Sequence, residues 1–261
     1  MENSQICYVA FLDILGFRNF VMKEDAECVR KYLSNLVAVS KALNIKSLNY
    51  DIRIFSDSII ISVPVEQSGS YIADRMFLSY INSLLLANIV DERLGKLALR
   101  GAVTKGEFFT DNNKDIIFGK ALIAAYELEK DKAKDPRVII DTNEFTPERT
   151  KEAFSVINNL LIETGRDKEI KGGLIEFSEF RQERCRDSSD GLLYCNYLSS
   201  LKVDGGWMNR SEGFIERHRS FIVEELKKPH PEKDYKKYVW MKTYHNWFCS
   251  GVSRFNEFMI N

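Results

Sequence analysis

No two of the five cysteines (Cys7, Cys28, Cys185, Cys195 and Cys249) stand in a CxxC pair, and their scatter suits neither a zinc site nor a disulfide framework. They read as reduced thiols. Histidine is also scarce: His218, His230 and His245 all fall in the last quarter of the chain, which argues against a histidine-based hydrolase or a zinc enzyme and leaves His245, in YHNWF, a local contact at most. Neither sign of charge dominates. With Lys+Arg 37 against Asp+Glu 38 the formal net charge is -1, so no overall basic field points to a long nucleic acid as partner, though a local basic pocket is compatible with the count. No apolar run approaches the roughly 20 residues of a membrane span, and the opening MENSQICYVAFLD lacks the basic start of a secretory signal. A cytoplasmic protein is expected. Internal repeats and low-complexity tracts are absent too.

What is present is enough apolar material for a full core, 44% of 261 residues, spread as short alternating or helical patterns. Ile6 to Leu12 reads as a buried strand ending at Asp13, with the turn-forming Gly16 next and an amphipathic helix over Ala26 to Leu43. Ile52 to Val63 reads as a hairpin, its two apolar halves broken by Ser56-Asp57-Ser58 and closed by Pro64. A helix over Ile72 to Val90, an extended segment over Leu97 to Val103 and Gly106 to Phe109, a helix over Ala121 to Lys130, a strand over Val138 to Asp141 and a helix over Glu144 to Leu161 follow. Such an order predicts an α+β domain, a mainly antiparallel sheet with helices on one face. Residues 1–165 are expected to form a core. Residues 166–261 are expected to extend it with a strand pair (Leu174 to Phe177, Leu192 to Tyr197) and two helices (about Glu212 to Lys227 and Lys233 to Cys249). The last helix carries so many large aromatic groups that it must pack on this core or on a partner chain.

The informative residues are two acids. Asp13 ends a buried strand and Asp57 tips a hairpin, and a hard divalent cation wants a few carboxylate oxygens while leaving its other positions to water and phosphate. Taken singly, each acid is explained as well by capping or making a turn. Gly16 lets the following backbone come close, so the amides of Leu15, Gly16 and Phe17 are candidates for binding a triphosphate.

The flanking residues add a resemblance. FLDILGF (11–17) resembles the first metal-binding segment of class III adenylyl and guanylyl cyclases, and IRIFSDSIII (52–61) resembles their second. LRGAV (99–103) and GKALIAAYELE (119–129) follow in the order of the later strand and helix of that superfamily, so the resemblance spans about Ile6 to Asp141. Where those enzymes carry an asparagine and an arginine on the helix, Ile123 and Glu127 stand here. Together with KYVWMKTYHN near the end, the pattern looks most like the pyrimidine cyclases of bacterial Pycsar anti-phage defence.

The resemblance implies a ferredoxin-like βαββαβ core and a reaction in which a bound triphosphate is cyclised by its own ribose 3'-hydroxyl with loss of pyrophosphate. Two Mn²⁺ or Mg²⁺ ions would be held by Asp13, Asp57 and the Ile14 carbonyl. Arg100 is the candidate to replace the missing helix arginine, a surface ion pair being its plain alternative. Arg53, four residues before Asp57, falls where the family reads the base; Tyr50 is a candidate to stack on it or, equally, a core tyrosine. Lys130, Lys132 and Lys134 read better as a charged helix end than as phosphate ligands. Because arginines only donate hydrogen bonds, UTP is favoured over CTP, with cyclic UMP as product. A cyclic CMP, cyclic AMP or cyclic GMP product and a catalytically silent nucleotide-binding module remain the alternatives. A homodimer with active sites shared between protomers and an antiviral role complete what the resemblance implies, while the balanced charge argues for no nucleic-acid partner.

Overall fold

The computed structural model describes residues 4–43, 50–65, 70–94, 96–111, 116–143, 184–201 and 208–261. Strand β1 (Gln5–Ile14) leads through a short helix α1 (Phe17–Lys23) to α2 (Ala26–Ala42), which starts at Asp25, whose side chain accepts from the Cys28 N–H at 2.7 Å. The hairpin β2 (Asp51–Phe55) and β3 (Ser58–Pro64) precedes α3 (Ser70–Val90) and the long strand β4 (Leu99–Asp111). These strands lie in the order β2-β3-β1-β4, every neighbour antiparallel. That is the βαββαβ arrangement expected from the sequence.

Period-two alternation divides β1 between two faces. Tyr8, Ala10, Leu12 and Ile14 enter the main core under α2 and α3, with Tyr32, Leu36, Phe77, Ile81 and Leu84. Cys7 and Val9 face the other way and join Phe108 and Ala121 of α4 (Lys120–Lys132). The two crossover helices of the core therefore share one face, while α4 covers part of the opposite one. Strand β5 (Ile116–Phe118), for which the sequence suggested no element, pairs with the far end of β4.

Beyond β4 the sheet continues through β6 (Val138–Ile140), parallel to β4, then β8 (Leu193–Cys195) and β7 (Arg184–Arg186). The strand paired with Leu193–Cys195 is thus Arg184–Arg186, where no strand was expected from the sequence; Gly191 at φ 73 turns the chain between them. At the end of the described strand order, β7 buries Cys185 and leaves Arg186 exposed. The expected strand Leu174 to Phe177, the expected helix Glu144 to Leu161 and the boundary at 165 and 166 lie outside the described residues.

A 3₁₀ turn (Tyr197–Ser200) and the antiparallel helices α5 (Met208–Lys227) and α6 (Glu232–Ser250) close the fold. Tyr197, Ile215, Phe221, Met241, Tyr244 and Phe248 join the main core cluster, so the aromatic C-terminal helices pack on this chain's own core. No described helix is long and apolar enough to cross a membrane.

Candidate active site

The end of β1 and the tip of the β2–β3 hairpin are tied together by one backbone bond, from the Ile14 N–H to the Asp57 carbonyl at 2.9 Å. Asp13 stands directly opposite Ser58 on one side and Arg100 on the other, and Ser58 stands opposite Phe55. Opposed residues share a sheet face, so Phe55, Ser58, Asp13 and Arg100 form one row across the sheet on the side of α4. Asp57 lies immediately beyond that row. Ser56, the first of the two loop residues, takes φ 55, a left-handed conformation that costs an ordinary L-residue about 1–2 kcal/mol.

Arg100 is held against Asp13, its Nε donating to Asp13 Oδ2 at 2.8 Å and its Nη1 reaching the Ala133 carbonyl at 3.4 Å. The same Nε stands 3.0 Å from Oε1 of Glu129. Glu129 is 5% exposed, yet this oxygen has no hydrogen-bond partner of acceptable geometry among the described residues. Burial, with the charges of Asp13 and Asp57, pushes its carboxyl above the usual range, against the opposing pull of Arg100. Sequence reasoning passed over Glu129. The available signal was spacing: Ala121, Ala125 and Glu129 recur every four residues on the buried side of α4, so the stripe ends in an acid.

Ile14 buries its side chain in the main core, leaving its backbone at the site. Gly16 takes φ 79 ahead of α1, and no atom lies within 4 Å of a Cβ built there, so its backbone conformation is what calls for glycine. Of the three turn amides suggested for phosphate, that of Leu15 is already engaged, donating to the Ala98 carbonyl at 2.9 Å. Gly16 and Phe17 remain. Arg53 shares the face of Asp13 and bonds Asp51 at 2.8 Å and the Thr110 hydroxyl at 3.0 Å.

Tyr50 does not belong to this face. It packs with Ile52 and Ile54 against the α2–α3 core, its ring 4.7 Å from that of Tyr80 and its phenol pushed up to about 12 by burial. The reason is the strand period: residues 50 and 53 differ by an odd number and must point to opposite faces. Ile123 and Glu127 lie on the exposed side of α4, as do Lys130 and, at its end, Lys132 and Lys134. Lys130 lies 5.9 Å from the centre of the Tyr126 ring.

The site's donors are oxygens alone, which suits a hard cation. Among the described residues no group of three or more acid, histidine or cysteine side chains is disposed to hold a metal. A cation held by the oxygens of two acids would take most of its positions from water or phosphate, as Mg²⁺ commonly does. A cavity of about 380 Å³ opens nearby between Gly16, Phe20 and Ala98 on one side and Phe221, Glu225 and Tyr238 on the other; Asp13, Asp57 and Arg100 do not line it.

The sequence matches no protein-family model and no curated protein. Solved structures with a similar chain path include the catalytic core of a rhodopsin-guanylyl cyclase with converted specificity in complex with ATPalphaS, 12% identical, covering 73% of this chain and 94% of its own, with a TM-score of 0.47. The monomeric guanylyl cyclase domain of the RhoGC fusion protein from the aquatic fungus Blastocladiella emersonii is 13% identical over 59% of this chain and 86% of its own, with a TM-score of 0.45. The adenylyl cyclase CyaB from P. aeruginosa is 17% identical over 60% and 82%, with a TM-score of 0.40. Likeness at this level reaches neither individual residues nor an activity.

Proposed function

We propose that this chain is a divalent-cation-dependent nucleotide cyclase, with UTP as substrate and 3',5'-cyclic UMP and pyrophosphate as products. The observation that carries the reading is the bond from Ile14 to Asp57, which holds two carboxylates at one sheet end beside an arginine on the facing strand. In this reading Asp13, Asp57 and the Ile14 carbonyl hold Mn²⁺ or Mg²⁺, two ions per site. Bound there, the ions would lower the cost of ionising the ribose 3'-hydroxyl and of releasing pyrophosphate. The chain's own contribution is positioning and charge: the Gly16 and Phe17 amides face the phosphates, Arg100 meets charge developing at the α-phosphorus, and Arg53 donates to a base carbonyl. No covalent intermediate on the protein is required.

A homodimer with shared sites belongs to the same proposal. Phe55 is 82% exposed beside the acids, and Ile123, Tyr126 and Phe118 are exposed on and around α4, an apolar surface suited to a second copy. A role in anti-phage defence is supported only by the resemblance of the sequence motifs. One observation favours a module that binds nucleotide without turnover: Asp13 already has Arg100 as counter-ion. The test is to incubate the purified protein with each ribonucleoside triphosphate and Mn²⁺ and to identify cyclic products by mass. Cyclic UMP that disappears in Asp57→Ala is the expected result; cyclic CMP alone would reverse the base assignment, and no product from any triphosphate would leave the silent module.

A further inference from the structure

A single N–H stands between two carboxylates. Arg100 Nε is 2.8 Å from Asp13 Oδ2 and 3.0 Å from Glu129 Oε1, but its hydrogen satisfies the geometry of a bond only toward Asp13. Glu129 Oε1 is left buried and unbonded, the costly state for a polar atom. Such an arrangement has a use if the two acids alternate as Arg100's partner. A divalent cation on Asp13 removes the negative charge that holds the guanidinium there and places positive charge beside it. The nearest acceptor for Nε–H is then Glu129, a small rotation away.

We propose that Glu129 is a positioning residue that receives Arg100 when a divalent cation occupies Asp13. The inference rests on the cation site of the proposed function and adds to it a release device. Glu129 neither touches substrate nor holds the ion; it lowers the cost of parting Asp13 from Arg100 and keeps the guanidinium near the phosphates. The Ala133 carbonyl, 3.4 Å from Nη1, is a contact compatible with either partner.

Direct Mn²⁺ titration of the full chain, by calorimetry or by the paramagnetic resonance of free Mn²⁺, tests this without turnover. Relative to wild type, Glu129→Gln should bind Mn²⁺ about tenfold more weakly, the lower end of what supporting residues contribute at metal sites. Glu129→Asp, which keeps the charge, should recover most of that loss. In the Arg100→Ala background the effect of Glu129→Gln should shrink below about twofold, since nothing is left to relocate. A tenfold loss that persists in Arg100→Ala would make Glu129 a cation ligand and overturn the inference, as would an unchanged affinity in Glu129→Gln. Equal Mn²⁺ binding by wild type and Asp57→Ala would instead overturn the cation reading itself, and the inference with it.

Discussion

Two buried polar clusters in this fold are organised in opposite ways. In the C-terminal helices, Tyr197, His218 and His245 form a chain that ends on a backbone carbonyl: Tyr197 Oη to His218 Nε2 at 2.9 Å, His218 Nδ1 to His245 Nδ1 at 2.9 Å, and His245 Nε2 to the Phe258 oxygen at 3.0 Å. A carbonyl only accepts, so His245 Nε2 donates, its Nδ1 accepts from His218, and His218 Nε2 accepts the tyrosine proton. Every ring nitrogen is engaged, and His245 Nε2 also stands 3.5 Å from the Cys249 sulfur. At the strand end, by contrast, two acids stand at one Arg100 N–H, which bonds only Asp13, and a buried oxygen of Glu129 goes without. Saturated networks specify a structure, whereas an unsaturated one retains capacity for something else. Under the proposed function, the difference separates what holds the extension in place from what is left for a ligand.

The comparison is broken most directly at Asp57. Asp57→Ala should lower cyclase turnover by at least about a hundredfold, as loss of a charge-stabilising group at a reacting centre does. Its thermal midpoint should stay near that of wild type, because the bond to Ile14 uses the Asp57 backbone. A variant that unfolds would show that this acid is structural. The mirror experiment is His218→Leu, which strands the Tyr197 hydroxyl and His245 Nδ1 and should cost about 2–3 kcal/mol in urea unfolding while turnover per folded molecule is kept.

Acid should act on the same chain. Burial lowers both histidines, His218 well below its ordinary 6.5 with the neighbouring His245 adding to the effect, and His245 also through Arg219, partly opposed by its bond to Phe258. Because the unfolded chain takes up protons that the native rings refuse, the stability these rings contribute is complete above pH 6.5 and declines as the pH falls below it. Unfolding free energies measured from pH 7.5 to pH 5 check this. In His218→Leu the decline should be shallower, and an unchanged slope would remove the pair as its source.

The acids, the hairpin and the order of the elements were legible because each is written locally: an apolar run that ends in Asp13, a polar break at Ser56-Asp57-Ser58, and helical spacing in α3. Pairing register is not written locally. That Arg100 faces Asp13 across β1 and β4 emerges only from the assembled sheet, although its nearness to the acids was expected. Tyr50 was legible in principle, since counting by two from Arg53 assigns it to the core face. Glu129 was harder, because a glutamate near a helix end ordinarily reads as solvent-facing. It is buried, with Arg100 of the facing strand 3.0 Å away, a neighbour that sequence order does not give. Gly101 shows the same dependence on assembly: a Cβ there would meet the Phe11 carbonyl at 2.2 Å, a closeness that no local pattern announces.

The smallest expected effect sharpens the comparison furthest. Ser56 holds a left-handed φ of 55 next to Asp57, and glycine adopts that conformation without a Cβ penalty, though it gives up more entropy on folding. Ser56→Gly should therefore stabilise the fold by up to about 1 kcal/mol in urea unfolding. If the strained serine also fixes the hairpin tip, the added backbone freedom should raise the Mn²⁺ concentration needed for half-maximal turnover while the maximal rate is little changed. A gain in stability without that shift would mean that the bond from Ile14 to the Asp57 carbonyl alone aims the acid. A loss of stability would mean that Ser56 makes a compensating contact, and the strand end would then resemble the saturated histidine chain more than its open carboxylates suggest.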